Sequence, residues 1–102
     1  MFQQVLEFDI DDPLANYGLG QALLDMGKAT EAIDYLQKST KLQPNHTLSY
    51  LALGQALETT GEKEGAKEQY QLGLEVASRK GDLMPLKQLQ MALSKLSDDA
   101  II

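Results

Sequence analysis

The chain has 102 residues, of which 43% are hydrophobic and 24% charged, and its formal net charge is −6 with no cysteine. This composition suits one soluble globular domain and is too hydrophobic for a disordered chain. Nine basic residues scattered among fifteen acidic ones argue against nucleic acid or an anionic membrane surface as the partner, and without cysteine there are no disulfides or thiolate sites.

The start of the chain and the length of its apolar runs bear on where the protein works. The first residues lack the basic head and the apolar stretch of a secretory signal. No apolar run approaches the roughly 18 residues that a membrane-spanning helix needs. We therefore expect a cytoplasmic protein that does not insert into a membrane.

The first predicted element is a pair of helices joined by a glycine turn. Asp12 and Pro13 supply an acidic N-cap followed by proline at the first helical position. Gly27 is placed to end this helix, and Pro44 marks the end of the second one. The apolar residues between them fall at helical spacing: Leu19, Ala22, Leu23 and Met26 in the first helix, then Ala32, Ile33 and Leu36 in the second.

The second predicted element repeats the first. The pentapeptide Leu-Gly-Gln-Ala-Leu occurs at residues 19–23 and again at 53–57, and the same offset pairs Gly27 with Gly61. Asn45 or Thr47 can cap the third helix, which we expect to run to about Thr60. No proline stands at Ser78, the position equivalent to Pro44, so the fourth helix can run a turn longer, to about Lys80.

The last predicted element is a single helix over residues 82–97. Asp82 can cap it and Pro85 is tolerated in its first turn. Its apolar side is formed by Leu86, Leu89, Leu93 and Leu96, whereas Lys87, Gln88, Gln90 and Lys95 are expected to face water. Such a helix, apolar on one side only, is typical of the cap of a helical repeat array.

Glycine occurs inside a predicted helix at the same register in both repeats, at Gly20 and Gly54. Glycine in a helix interior costs roughly 1 kcal/mol relative to alanine, so a structural reason is needed. We predict that two helix backbones approach closely there, with Ala32 and Ala66 as the opposing small residues.

These residues resemble the tetratricopeptide repeat (TPR), a helix pair of about 34 residues. The resemblance implies an all-α solenoid of helical hairpins with a capping helix, in a single domain over 1–102. Within it we expect an N-terminal helix over 1–12, repeats over 13–46 and 47–80, and the capping helix and tail over 81–102. The matching residues are Leu19, Gly20, Ala22, Gly27, Ala32, Leu36 and Pro44, then Tyr50, Leu53, Gly54, Ala56, Gly61, Ala66 and Tyr70. Asn16 departs from the family's usual large apolar residue.

Proteins that resemble this chain bind peptides or partner helices in a concave groove lined by the first helix of each pair. The equivalent positions here are Leu14, Tyr17, Gln21, Leu24, Leu48, Leu51, Gln55 and Glu58. Some members grip a C-terminal carboxylate with lysine and asparagine, but the matching positions hold Tyr17, Gln21 and Ala52. Chaperone tails are therefore disfavoured as ligands.

No pattern in the sequence indicates catalysis, a cofactor or a metal. The Gly-x-Gly of residues 18–20 lies within a helix and lacks the third glycine of a dinucleotide fingerprint. The aspartates of residues 9–12 lack the glycine and glutamate of a calcium loop. His46, the only histidine, has no cysteine or second histidine to share a metal, and we place it in the turn between repeats.

The sequence thus predicts a protein-binding scaffold, not an enzyme, with a protein or peptide partner and no cofactor. Two alternatives stay open at this point. The chain could instead associate with a second copy through the final helix or the groove, making a homodimer. The chain could also be the C-terminal part of a longer TPR array.

Overall fold

A computed structural model describes residues 12–101, with side chains described to residue 96, and this part contains helices and no strand. The helices are α1 (Pro13–Asp25), α2 (Ala29–Leu42), α3 (Thr47–Thr59), α4 (Lys63–Lys80) and α5 (Leu83–Ile101). The predicted all-α solenoid is confirmed. The helix predicted over 1–12 lies outside the described residues except for Asp12.

The N-terminus of α1 forms as the sequence predicts. The Asp12 side chain accepts hydrogen bonds from the backbone N–H groups of Leu14 at 3.0 Å and Ala15 at 3.4 Å. Pro13 at the first helical position loses no hydrogen bond, because that N–H would have no partner within the helix. After α1 the chain turns at Gly27 with a φ of +80°, a conformation that favours glycine.

The cap of α3 differs from both predicted alternatives. His46 occupies the N-cap position and Thr47 is the first helical residue. The Thr47 hydroxyl donates a hydrogen bond to Asp82 Oδ2 at 3.1 Å, so it ties the start of α3 to the start of α5. A contact with a residue so distant in the chain could not be read from the local pattern around Thr47.

The last two helices show the effect of the missing proline at Ser78. Helix α4 has 18 residues whereas α2 has 14, as predicted, and Gly81 ends it with a φ of +72°. Helix α5 begins after Asp82 but continues to Ile101, so the predicted end at residue 97 was wrong. Leu89 and Leu96 are buried in the core, and the predicted polar positions of α5 are exposed.

The helices stack so that the first helix of each pair lies on one side. Helix α1 packs on α2 and α3 on α4, and the pairs join through α2 against α3 and α4 against α5. Helix α1 also contacts α3, and α3 contacts α5, whereas α2 and α4 have no Cα atoms within 8 Å of each other. Helices α1, α3 and α5 therefore form a continuous inner wall.

The repeated glycines allow each helix pair to close, as predicted, but the opposing residues differ from those expected. A Cβ atom on Gly20 would lie 2.6 Å from Cγ of Leu36, and one on Gly54 would lie 2.5 Å from Cδ1 of Tyr70. Ala32 contributes only its carbonyl oxygen, at 3.4 Å. The glycines thus make room for large buried side chains.

Two glycines in α1 provide a matched test of this packing. Gly18 has nothing within 4 Å of a Cβ position, so Gly18→Ala should gain up to about 1 kcal/mol of stability from helix propensity alone. Gly20→Ala should instead cost about 1–3 kcal/mol, because the new methyl group overlaps buried Leu36. Thermal or urea unfolding of the two variants measures both effects, and equal changes would contradict the packing role of Gly20.

Candidate partner-binding groove

The inner wall carries the residues that were predicted to line a groove. Leu14, Tyr17, Gln21 and Leu24 lie on α1, and Leu48, Leu51, Gln55 and Glu58 lie on α3. Because α1 and α3 contact each other, the structure brings the two sets onto neighbouring helices. The individual side chains nevertheless differ in how available they are to a partner.

The most accessible of these residues lie near the N-terminal ends of their helices. Leu14 is 59% exposed and Leu48 is 38% exposed, although both are large aliphatic residues. They occupy equivalent positions in the two repeats, and each stands second in its helix. Gln55, further along α3, is also exposed. These side chains can contact a partner without rearrangement of the fold.

Two polar residues of the wall already have hydrogen-bond partners within the chain. Gln21 Nε2 donates to Asp25 Oδ1 at 3.0 Å, one turn further along α1. Glu58 Oε1 accepts a bond from the Tyr70 hydroxyl at 2.7 Å. Burial of Tyr70, this bond and the charge of Glu58 raise the pKa of the tyrosine, so it stays protonated and keeps donating. Glu58 therefore keeps its carboxylate at the edge of the wall.

Three predicted residues lie deeper than a groove-lining position implies. Leu51 is only 9% exposed and belongs to the hydrophobic core, and Leu24 and Tyr17 are half-buried and pack against that core. Leu51 is thus a poor position for testing partner binding, because a polar substitution there would also disturb folding.

Helix α5 adds residues that the sequence analysis missed. Met84 is 75% exposed and Met91 is 67% exposed, and α5 contacts α3 as α3 contacts α1. A signal was present: the Leu-x-x-Ala-Leu pattern of residues 53–57 recurs at 89–93, two positions later than the offset between the first two copies would place it. The extra length of α4 causes this shift, which makes Met84 the equivalent of Leu48. Leu14, Leu48 and Met84 together are called the apolar row.

A chain of hydrogen bonds runs from the inner wall into the junction between the repeats. The hydroxyl of buried Ser39 donates to the Pro13 carbonyl oxygen at 3.0 Å and lies 2.8 Å from the hydroxyl oxygen of buried Ser49. Ser49 Oγ in turn lies 2.5 Å from Nδ1 of His46. The His46 ring packs edge-on against Tyr17, with 4.8 Å between the ring centroids. The turn histidine is thus part of the contact between α1, α2 and α3.

The donors in this chain of bonds determine which nitrogen of His46 carries a proton. Ser39 gives its one proton to Pro13, so its oxygen must accept from Ser49. Ser49 has then no proton left for the imidazole and must accept from Nδ1. We therefore expect neutral His46 to be the Nδ1–H tautomer. Nitrogen chemical shifts of the ring in NMR spectra above its pKa test this, and an Nε2–H tautomer would contradict the order of donors.

The same surroundings make stability depend on pH. Burial, followed by the charge of Lys80, lowers the pKa of His46 below its ordinary value. The unfolded chain therefore binds a proton at His46 more readily than the folded chain does. The contribution of neutral His46 to stability is complete above the ordinary pKa of histidine and is lost as the pH falls through the lowered pKa of the folded state. We expect the free energy of unfolding to decrease as the pH falls below about 6.5, the ordinary pKa of histidine.

The control for this effect is His46→Asn, whose side-chain amide can still donate to Ser49 but does not titrate. Its free energy of unfolding should vary less than that of the wild type over the same range. Parallel pH profiles from urea unfolding would show that other groups cause the loss.

Two other kinds of site are absent from the described part of the chain. Among the described residues, no group of three histidine, aspartate or glutamate side chains is placed to hold a metal ion. None of the described helices combines the length and apolar character needed to cross a membrane.

The features described so far are those of one protein family: a repeat of 34 residues, helix pairs packed closely at a glycine, and first helices that lie side by side. The chain belongs to the tetratricopeptide repeat family, whose model matches residues 11–79. Repeats of this family mediate protein–protein interaction, and their proteins are generally non-enzymatic scaffolds. Family membership therefore defines the class of function but leaves the partner open.

Comparisons with individual proteins agree with this assignment. A TPR repeat-containing protein of Pseudomonas aeruginosa is 31% identical over 94 residues, which cover 92% of this chain and 90% of that protein. A small glutamine-rich tetratricopeptide repeat-containing protein of Mycosarcoma maydis is 28% identical, and the match covers 97% of this chain but 30% of that protein. The crystal structure of a TPR domain protein from Salinibacter ruber superposes with a TM-score of 0.79 at 29% identity, covering 85% of this chain and 97% of that one.

Proposed function

We propose that this protein is an interaction module that holds a segment of a partner protein against its inner wall, with no catalytic step of its own. The observation that carries the proposal is the apolar row. Its members are 59%, 38% and 75% exposed. They occupy equivalent positions on α1, α3 and α5, of which α1 contacts α3 and α3 contacts α5. Exposed apolar residues are ordinary when scattered, but aligned at equivalent positions of neighbouring helices they are typical of a binding surface.

The inner wall is also preformed. Its helices are held by core residues on their opposite sides, such as Leu53 and Leu89, which are 2% and 0% exposed. A partner segment would meet a surface that needs little ordering on binding, which lowers the entropic cost of association. The half-buried Tyr17 on α1 adds a partly accessible aromatic side chain to the inner wall.

A homodimer is the second candidate, because α5 exposes several large apolar residues. Leu83, Met84 and Met91 are 69%, 75% and 67% exposed. A second copy could cover them, and it would compete with an external partner wherever the two surfaces overlap.

Two leucines of similar exposure, one on the inner wall and one outside it, allow a matched test of where a partner binds. Leu48 on α3 is 38% exposed and Leu72 on α4 is 43% exposed, so serine at either site removes a comparable exposed side chain. We expect Leu48→Ser to lose proteins that the wild type captures from a lysate of its own cells, whereas Leu72→Ser should retain them. Equal recovery by both variants would contradict binding at the inner wall.

Light scattering on the same variants addresses self-association. A wild-type dimer that Leu48→Ser converts to a monomer would show that a second copy of the chain, and not an external partner, covers the wall.

A further inference from the structure

The ends of the first helices nearest the hairpin turns are acidic. Residues 25–31 and 58–64, which contain those turns, hold five acidic and two basic residues. Asp25 is exposed at the end of α1, and Glu58 is half-buried near the end of α3, where Tyr70 fixes its carboxylate. The C-terminal ends of both helices add partial negative charge at the same place. Asp25 and Glu58 together are called the acidic edge.

The opposite ends of the same helices carry exposed apolar residues, with Asp12 as the exposed charge at the start of α1. The apolar row lies there, and a cleft of about 540 Å³ opens between Leu48 and Met84. The charged residues that line this cleft are Lys80 and Asp82, which form an ion pair at 3.5 Å. The inner wall therefore has one apolar and one acidic boundary.

The distance between the two boundaries limits the shape of a ligand that uses both. Leu14 and Asp25 are eleven residues apart on α1, and Leu48 and Glu58 are ten apart on α3. At a rise of about 1.5 Å per residue these separations are roughly 15 Å. An extended peptide occupies a width of only about 4.8 Å, the spacing between paired strands, so one such segment would not reach both boundaries. An α-helix is about 10–12 Å across with its side chains, and a lysine or arginine reaches further.

We propose that the inner wall selects a basic amphipathic α-helix, with its apolar side on the apolar row and its lysine or arginine side chains towards the acidic edge. The inference rests on the proposed function and specifies the partner's chemistry. A second copy of this chain fits less well, because each copy carries a net charge of −6. Lys87 and Lys95 are both exposed on α5. Lys87 stands three residues from Met84, whereas Lys95 occupies the position equivalent to Asp25, so the acidic edge is confined to α1 and α3.

The test uses two fluorescent peptides of about four helical turns that share one leucine pattern and differ only in carrying lysine or glutamate at every polar position. Fluorescence anisotropy with the full chain measures their dissociation constants. We expect the lysine peptide to bind at least about tenfold more tightly than the glutamate peptide, and the difference to shrink as salt is raised.

A pair of charge reversals locates the effect. Asp25→Lys changes the acidic edge, and Asp34→Lys makes the same change in net charge at an exposed position of α2. Affinity for the lysine peptide should fall about fivefold more in the first variant than in the second. Circular dichroism of the bound peptide should show helix.

The outcomes separate this inference from the proposed function. Stronger binding of the glutamate peptide, equal effects of Asp25→Lys and Asp34→Lys, or a bound peptide without helix would overturn the basic helix while leaving the wall as a binding surface. If Leu48→Ser and Leu72→Ser bind the lysine peptide equally well, the wall itself is not the site. Absence of saturable binding below about 1 mM overturns the inference as well.

Discussion

The structure depends on the close approach of two helices within each repeat, at a position where the first helix has no side chain. Gly20 and Gly54 leave room for Leu36 and Tyr70, which are 0% and 1% exposed. Each glycine lowers the helix propensity of its own segment by about 1 kcal/mol, but burial of a leucine or tyrosine side chain stabilises the pair by more. The two helices of each pair can therefore pack closely around one large buried side chain.

Repeats of equal length nevertheless join their neighbours in different ways. At one junction Ser39 forms hydrogen bonds that lead to His46, whereas the equivalent residue of the next repeat is Gly73. A Cβ atom on Gly73 would lie 2.8 Å from Cβ of Tyr50 and 3.1 Å from Cδ2 of Leu89. At this position the first junction therefore has a buried polar contact, and the second has a close apolar one.

The fold could be predicted from the sequence because its signals are local and occur twice. A proline after an aspartate, a glycine at each turn and a leucine–alanine pattern that recurs at a fixed offset specify helix ends and sides without reference to distant contacts. What could not be predicted depends on residues far apart in the chain. The partner of Gly20 is a side chain of another helix, and Thr47 bonds to Asp82 instead of capping its own helix.

The candidate site was predictable in outline for a related reason. The equivalent positions on α1 and α3 follow from the repeat, but burial does not, so Leu51 could not be distinguished from Leu48. The contribution of α5 was missed because the spacing between copies grows by two residues where α4 extends beyond Ser78. After such an insertion, a fixed offset of 34 residues assigns every later position wrongly. In the structure Leu89 is nevertheless buried in the core.

The proposed basic ligand would distinguish this chain from those members of the family that hold a carboxylate. Those members hold the carboxylate with lysine and asparagine, whereas the equivalent residues here are Tyr17, Gln21 and Ala52. None of these attracts an anion, and the nearest charged side chain with a defined contact is Asp25, which accepts a bond from Gln21. Since the backbone of the wall is set by buried glycine, alanine and leucine, its exposed positions are free to change sign without cost to the fold. In the proposed mode of binding, a few surface side chains would therefore select the ligand, and the repeat would supply their spacing.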